Sequence, residues 1–257
     1  HLMNLGEDPG IKTGIQGLDD ITGGLQNSDL IILAARPSVG KTALAISAAR
    51  HAAGALNKRV AIYSLEMSSQ SIGTRLLAAM SGVAVQDILR GRIGKSQWVK
   101  LAAGVARMMR APVVIDDSPT ITPAELRSRA RYLKANGGLD LIIVDYLQLM
   151  MSDRQTKDAN RVIEVAEISR SLKTLARELD VPVLALSQLN RSSEHREDGE
   201  PRLADLRDSG AIEQDADIVL MLWRPAMFQV KMKVAKHRNG PTGEVDLEWR
   251  KETVEFR

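Results

Sequence analysis

Short apolar runs of strand length recur along the chain at Leu30–Ala34, Val60–Ser64, Val113–Ile115, Leu141–Val144 and Val183–Leu186. Stretches with helical spacing of apolar positions lie between them. Ala43–Ala49 reads as one helix, and Ser68–Met80 as another, with Ile72, Leu76, Leu77 and Met80 on one face. Ser96–Met109 follows, with Ser96 as its expected N-cap. Thr122-Pro123-Ala124-Glu125 is a helix start: Thr122 caps, Pro123 occupies the first helical position and Glu125 completes a capping box. That helix is expected to end near Gly137-Gly138, and Asn160–Leu179 reads as a long amphipathic helix. Strand–helix alternation of this kind means a parallel sheet covered on both faces. Beyond residue 187 the pattern changes. Ile218–Trp223 and Val230–Ala235 are strands without helical crossovers, which predicts an antiparallel extension at one edge. Gly240–Gly243 is a turn, and Glu244–Trp249 with Thr253–Phe256 predicts a closing hairpin. Thr13–Asp29 reads as turns with little helix, and Leu189–Gly210 is a polar loop of mixed charge.

Composition narrows the class only slightly. The chain has 257 residues, 26% charged and 44% hydrophobic, the balance of a water-soluble domain with a substantial core. A net charge of +3 gives no whole-chain basic field, so a nucleic-acid surface has to be a local patch. Cysteine is absent, which excludes disulfides and thiolate metal sites and fits a reducing compartment. No apolar run reaches membrane-spanning length, so no membrane partner is expected. His1-Leu2-Met3 reads as a cloning scar, and residues 1–12 as scar plus residual linker before a domain at 13–257.

The chemistry concentrates after the first strand. Ala35-Arg36-Pro37-Ser38-Val39-Gly40-Lys41-Thr42 has the strand–loop–helix setting of a P-loop, with Ala35 in place of the usual first glycine. A triphosphate needs a concave row of backbone N–H donors at a helix N-terminus. Gly40 lets the backbone approach, Lys41 reaches the β- and γ-phosphates, and the Thr42 hydroxyl suits Mg²⁺.

In a parallel α/β sheet, ligands bind beyond the carboxyl ends of the strands. Glu66, Asp116, Asp117, Asp145 and Gln188 stand at those ends. Asp145 follows four apolar residues, the form of a Walker B strand, and is the metal-side candidate. Glu66 and Asp116/Asp117 compete for the base, and position alone does not separate them. Gln188 either senses the γ-phosphate or caps its strand. Lys236 and Arg238 flank His237 before a turn; Arg238 is either an arginine finger for a neighbouring subunit or an exposed hairpin end. Aromatics are 3% of the chain and absent from the 189–210 loop, so any nucleic acid there is held by phosphate contacts rather than base stacking.

These residues resemble one family, the bacterial and phage replicative DNA helicases of the DnaB type, in their C-terminal RecA-like motor domain. The resemblance is carried by ARPSVGKT (Ala35–Thr42), TGIQGLDDITGG (Thr13–Gly24), YSLEMS (Tyr63–Ser68), IIVDYLQLM (Ile142–Met150), LSQLNR (Leu186–Arg191), DLRDSGAIEQDAD (Asp205–Asp217) and AKHRNGPTG (Ala235–Gly243), in the family's order. It spans about residues 13–250, and alanine is common at the first P-loop position of that family.

The resemblance implies a RecA-like P-loop NTPase core, α/β, with a mostly parallel twisted sheet and an antiparallel edge. It implies ATP and Mg²⁺ as cofactors, with Ala35 to Thr42 and Arg75 around the nucleotide and Thr42 and Asp145 at the metal. Glu66 becomes the general base, Gln188 the γ-phosphate sensor, and Arg238 with Lys236 the group acting on a neighbour's ATP. Arg207, Asp208 and Gly210 match the channel loop that holds single-stranded DNA. The implied assembly is a homo-hexamer in the cytoplasm, at the nucleoid-associated replisome, with a helicase loader and primase as partners of the full-length protein. The family's N-terminal helical domain and linker helix are not in this sequence, and Arg224–Lys236 is shorter than the family usually shows. A RecA-like recombination or repair ATPase and a nucleotide-gated assembly scaffold are the alternative readings, with a clock-type kinase ring behind them.

Overall fold

The computed structural model describes residues 10–153, 161–190, 199–206, 210–226 and 229–257. The chain opens with a two-residue strand β1 (Gly10–Ile11), helix α1 (Gln16–Thr22) and β2 (Leu25–Gln26), which pairs with β1. The expectation of turns across 13–29 is therefore corrected. Asp19, nearly buried, accepts hydrogen bonds from Thr13 N (2.8 Å), Thr13 Oγ1 (2.8 Å) and Gly14 N (3.0 Å), which folds the turn back and starts the helix.

The main body alternates strand and helix. β3 (Leu30–Ala35) leads to α2 (Lys41–Gly54), and β4 (Val60–Ser64) to α3 (Ser69–Ser81), α4 (Val85–Arg90) and α5 (Lys95–Arg110). The short α4 was not anticipated. α5 begins one residue before Ser96: its N-cap is Gly94, whose N–H donates to Gln97 Oε1 at 2.8 Å, so Ser96 is not the cap. β5 (Val113–Asp116) precedes α6 (Pro123–Ala135), where the Thr122/Glu125 capping box forms as expected. β6 (Leu141–Asp145), α7 (Arg161–Leu179) and β7 (Val183–Gln188) follow, then α8 (Gly210–Asp215).

β8 (Ile218–Ala226), β9 (Gln229–His237) and β10 (Gly243–Leu247) complete one sheet of order β10-β9-β8-β3-β7-β6-β4-β5. Pairing from β8 through β5 is parallel, and β8–β9 and β9–β10 are antiparallel, the mixed sheet expected. The closing hairpin differs from expectation. Residues 243–247 extend the main sheet, and the separate small hairpin is β11 (Trp249–Arg250) with β12 (Glu255–Phe256).

β3 is the central strand, and all six of its residues are buried. Successive side chains point to opposite faces. Ile31 and Leu33 pack with α2, α3 and Phe256, while Leu30, Ile32 and Ala34 pack with α6, α7 and α8. Burial on both faces makes the loop leaving β3 a rigidly mounted feature. No described helix is long and apolar enough to cross a membrane.

Candidate active site

The turn from β3 into α2 is shaped by two residues with positive φ, Ser38 (+65°) and Gly40 (+120°). Glycine is required at position 40 for a second reason: a Cβ there would lie 2.9 Å from ring carbons of Phe256. Phe256 is itself fixed, its N–H donating to Ser47 Oγ on α2 at 2.9 Å. The C-terminal hairpin thus buttresses the phosphate loop.

A cavity of about 380 Å³ opens beside the N-terminus of α2. Of the residues singled out in sequence, Ala35, Arg36, Pro37, Ser38, Gly40, Lys41, Thr42, Glu66, Arg75 and Gln188 line it. Val39 does not; its side chain packs on the core and its carbonyl faces Arg224. Glu66 is exposed at the cavity wall, just past β4.

Asp145 ends β6 and is 2% exposed. Its Oδ2 accepts from Thr42 Oγ1 at 2.6 Å, and its Oδ1, without a hydrogen bond among the described residues, lies 3.7 Å from Lys41 Nζ. A hydroxyl beside a buried carboxylate oxygen with spare acceptor capacity is a hard-oxygen donor set. Mg²⁺ takes few protein ligands of this kind and keeps waters and substrate phosphates as the rest. The residues present fit the ion.

Lys41 Nζ also lies 4.1 Å from the centroid of the Tyr146 ring. Burial lowers the Lys41 pKa, opposed by the charges of Asp145 and Glu66. Burial likewise lowers Arg75, again against Asp145 and Glu66. Two cations are thus held in a desolvated pocket where triphosphate would restore their charge balance.

The three acids differ in position. Asp116 ends the edge strand β5 and is engaged by Arg129 and Ser118, which lower its pKa against the effect of burial. Asp117 accepts from Ser69 N at 2.7 Å. Neither lines the cavity, and Glu66 does.

The β7 end is laced to the phosphate loop. Leu189 N donates to Ala35 O at 3.1 Å, and Arg36 Nη1 donates to Leu189 O at 2.9 Å. From there the chain reaches Asp205, whose carbonyl accepts from Asn190 N at 2.8 Å. Arg207 and Asp208 lie outside the described residues. Gly210 is the exposed first residue of α8.

Lys236 and Arg238 stand far from this cavity. β8 and β9 place them at the amino end of β3, where Ile218 pairs with His237 and Lys236 with Val219. Lys236 Nζ donates to the carbonyls of Glu213 (2.5 Å) and Ala216 (2.7 Å), and Arg238 to Gln214 O (3.0 Å) and Asp217 Oδ1 (3.1 Å). The phosphate loop leaves the other end of the six-residue β3, roughly 17 Å away at the usual strand rise.

Sequence reading missed Arg224, Trp249 and Val254, which also line the cavity. Arg224 Nη2 donates to Val39 O at 3.3 Å and its guanidinium lies 5.6 Å from the Trp249 ring centroid. Trp249 in turn meets Phe256 at 4.7 Å between centroids. The only sequence signal was the presence of two of the chain's few aromatics in the closing segment.

The chain matches the sequence profile of the DnaB-like helicase C-terminal domain over residues 10–257. It is 47% identical over 259 residues to the replicative DNA helicase DnaB of Geobacillus stearothermophilus, covering 98% of this chain and 57% of that protein. Identity to the replicative DNA helicase DnaC of Bacillus subtilis (strain 168) is 44%, with the same coverage of each. The chain thus spans about half the length of these curated relatives. Among solved structures it superposes on a DnaB-like replicative helicase described with its interactions with primase, at TM-score 0.92, 35% identity and 98% and 62% coverage of the two chains. The ATPase domain of G40P gives the same TM-score and identity, with 98% of this chain and 92% of that one covered. The profile match over residues 10–257 and these likenesses establish that the chain belongs to the DnaB-like helicase C-terminal domain family.

Proposed function

We propose that this chain is the ATP-hydrolysing motor of a replicative DNA helicase, working in a ring of six around single-stranded DNA. The observation that carries the reading is the gathering of Lys41, Thr42, Glu66 and Gln188 around one cavity, with Asp145 bonded to Thr42 behind it and Arg238 at the opposite end of the sheet. Backbone N–H groups at the start of α2 and Lys41 hold the phosphates. Thr42 and Asp145 hold Mg²⁺, which supplies charge neutralisation of the transferring phosphoryl group when bound. Glu66 orients and deprotonates water. The adenine ring of ATP is taken on the Arg224–Trp249 side of the cavity. Arg238, at the opposite end of the sheet, serves the ATP of the next subunit, with Lys236 beside it.

The loop through Arg207, Asp208 and Gly210 takes the DNA backbone, so binding is salt-dependent and nearly sequence-neutral. Primase and a helicase loader are the partners of the longer protein; a relative's structure described with primase supports the first. The place of action is the cytoplasm, at the replisome.

The test is steady-state ATP hydrolysis with and without single-stranded DNA, with particle mass by light scattering in the same buffer. A particle of about six chains, stimulated by DNA and silenced by Arg238→Ala, is the expected result. DNA-indifferent turnover by a monomer, insensitive to Arg238→Ala, overturns it, and helical filaments on DNA favour the recombination-type reading.

A further inference from the structure

Backbone pairing between β6 and β7 stops at Val144 and Ala185. Beyond that point Gln188, on the last turn of the β7 ladder, keeps β3 as its neighbour on one side only, paired with Ala35. On the other side a side chain takes the place of the missing strand. Gln148, in the 3-10 turn Leu147–Leu149 directly after the Asp145 strand, accepts from Gln188 N through Oε1 at 3.3 Å. Its Nε2 donates to Ser187 Oγ at 2.8 Å and to Gln188 O at 3.4 Å. Both backbone polar groups of Gln188 are therefore met by one amide, and the backbone carbonyl of Gln148 is in turn held by Arg161 of α7.

We infer that Gln148 is a positioning residue that fixes Gln188 relative to Asp145. The inference rests on the reading of Gln188 as the group facing the γ-phosphate. A side chain reporting on one phosphate oxygen must be placed within a fraction of an ångström of its working geometry. Gln148 ties the Gln188 backbone to the segment that follows Asp145, so both residues are carried by one hydrogen-bonded unit. The same clamp sits where the chain departs for the 189–206 segment, which returns as Leu206 bridges to Leu189.

The experiment compares Gln148→Met, of similar length but without the amide, and Gln148→Glu, which keeps an acceptor for the Gln188 N–H. Each is assayed at chain concentrations where the wild type turns over ATP on single-stranded DNA, beside Gln188→Ala and the Gln148→Met/Gln188→Ala double variant. The expected result is a fall of about ten-fold in DNA-stimulated kcat for Gln148→Met with KM within about two-fold. Gln148→Glu recovers part of that loss. The double variant is no worse than Gln188→Ala, as for residues acting through one another. Wild-type kcat in Gln148→Met with a crippled Gln188→Ala overturns the inference. So does a loss that follows melting temperature alone and is equal in Gln148→Glu. Full activity in Gln188→Ala overturns the sensor reading itself, and the positioning role with it.

Discussion

Thr42 Oγ1 donates to Asp145 Oδ2 at 2.6 Å, joining the first turn of α2 to the carboxyl end of β6. The bond crosses from the phosphate loop to the metal-side strand and leaves Asp145 Oδ1 near Lys41. Thr42→Val keeps the shape and removes the hydroxyl. It is expected to lower kcat by roughly 100-fold, equivalent to about 2.7 kcal/mol, and to raise the Mg²⁺ concentration needed for half-maximal turnover. A Mg²⁺ titration of hydrolysis checks both.

Glu66 is exposed at the cavity wall, while Asp116 and Asp117 are engaged elsewhere. Glu66→Gln is expected to remove the base and cost about 10²- to 10⁴-fold in kcat, with nucleotide affinity unchanged in a fluorescent-ATP titration. Asp117→Asn is expected to leave kcat within about two-fold, because its carboxylate serves the start of α3 rather than water. Equal effects of the two changes would reverse the assignment.

Trp249 presents an aromatic face beside Arg224 in the same cavity. Trp249→Ala is expected to weaken ATP binding by about 1 kcal/mol, roughly five-fold in KM, with kcat little changed. The same change weakens GTP and CTP alike if the ring only stacks, which a competition series among nucleotides would read directly.

Gly40 carries φ of +120° and faces the Phe256 ring. Gly40→Ala combines backbone strain with a clash and is expected to cost about 2 to 4 kcal/mol in stability. Phe256→Ala/Gly40→Ala relieves the clash, leaving the backbone strain and the packing lost with the ring, so the double variant loses less than the sum of the single changes. Urea unfolding of the four chains measures this coupling.

Asp29 lies next to Asp217 at the foot of β3, and its pKa is raised to about 6, first by burial and then by Asp217, against Lys173, His237 and Arg238. The folded state therefore binds more protons than the unfolded state between about pH 4 and pH 6. Stability falls as pH rises through that window. Asp29 is only half-buried, so its share is about 1 kcal/mol after solvent screening. Asp29→Asn removes that part of the slope, and denaturant unfolding at pH 4.5 and 7 compares the two chains.

The phosphate loop, Asp145 and Gln188 were legible because each closes a run of apolar residues that can only be a buried strand. Parallel pairing then brings those strand ends together at one end of the sheet. Separating Glu66 from Asp116 needed either a family likeness or the strand order, since spacing along the chain does not reveal that β5 is the far edge. α1 was hidden because its start depends on Asp19 reaching back to Thr13 rather than on a capping residue next to the helix. Trp249 and Arg224 were hidden because their meeting depends on a hairpin folding over α2, a contact between distant parts of the chain.

Arg238 and the phosphate loop stand at opposite ends of the sheet. Used between copies, such a pair makes a heterologous joint, in which one subunit's foot meets the next subunit's head. A two-fold dimer puts head to head or foot to foot and completes neither site. With Arg238 in the proposed role, the smallest assembly with every site complete is a closed cycle, and an open row leaves one phosphate loop without a neighbour's Arg238. The number of working sites in a row of n copies is then n − 1, and only closure makes it n. A covalently tethered series of two, three and six copies would show turnover per chain rising toward the closed value, a signature of cyclic rather than dihedral symmetry.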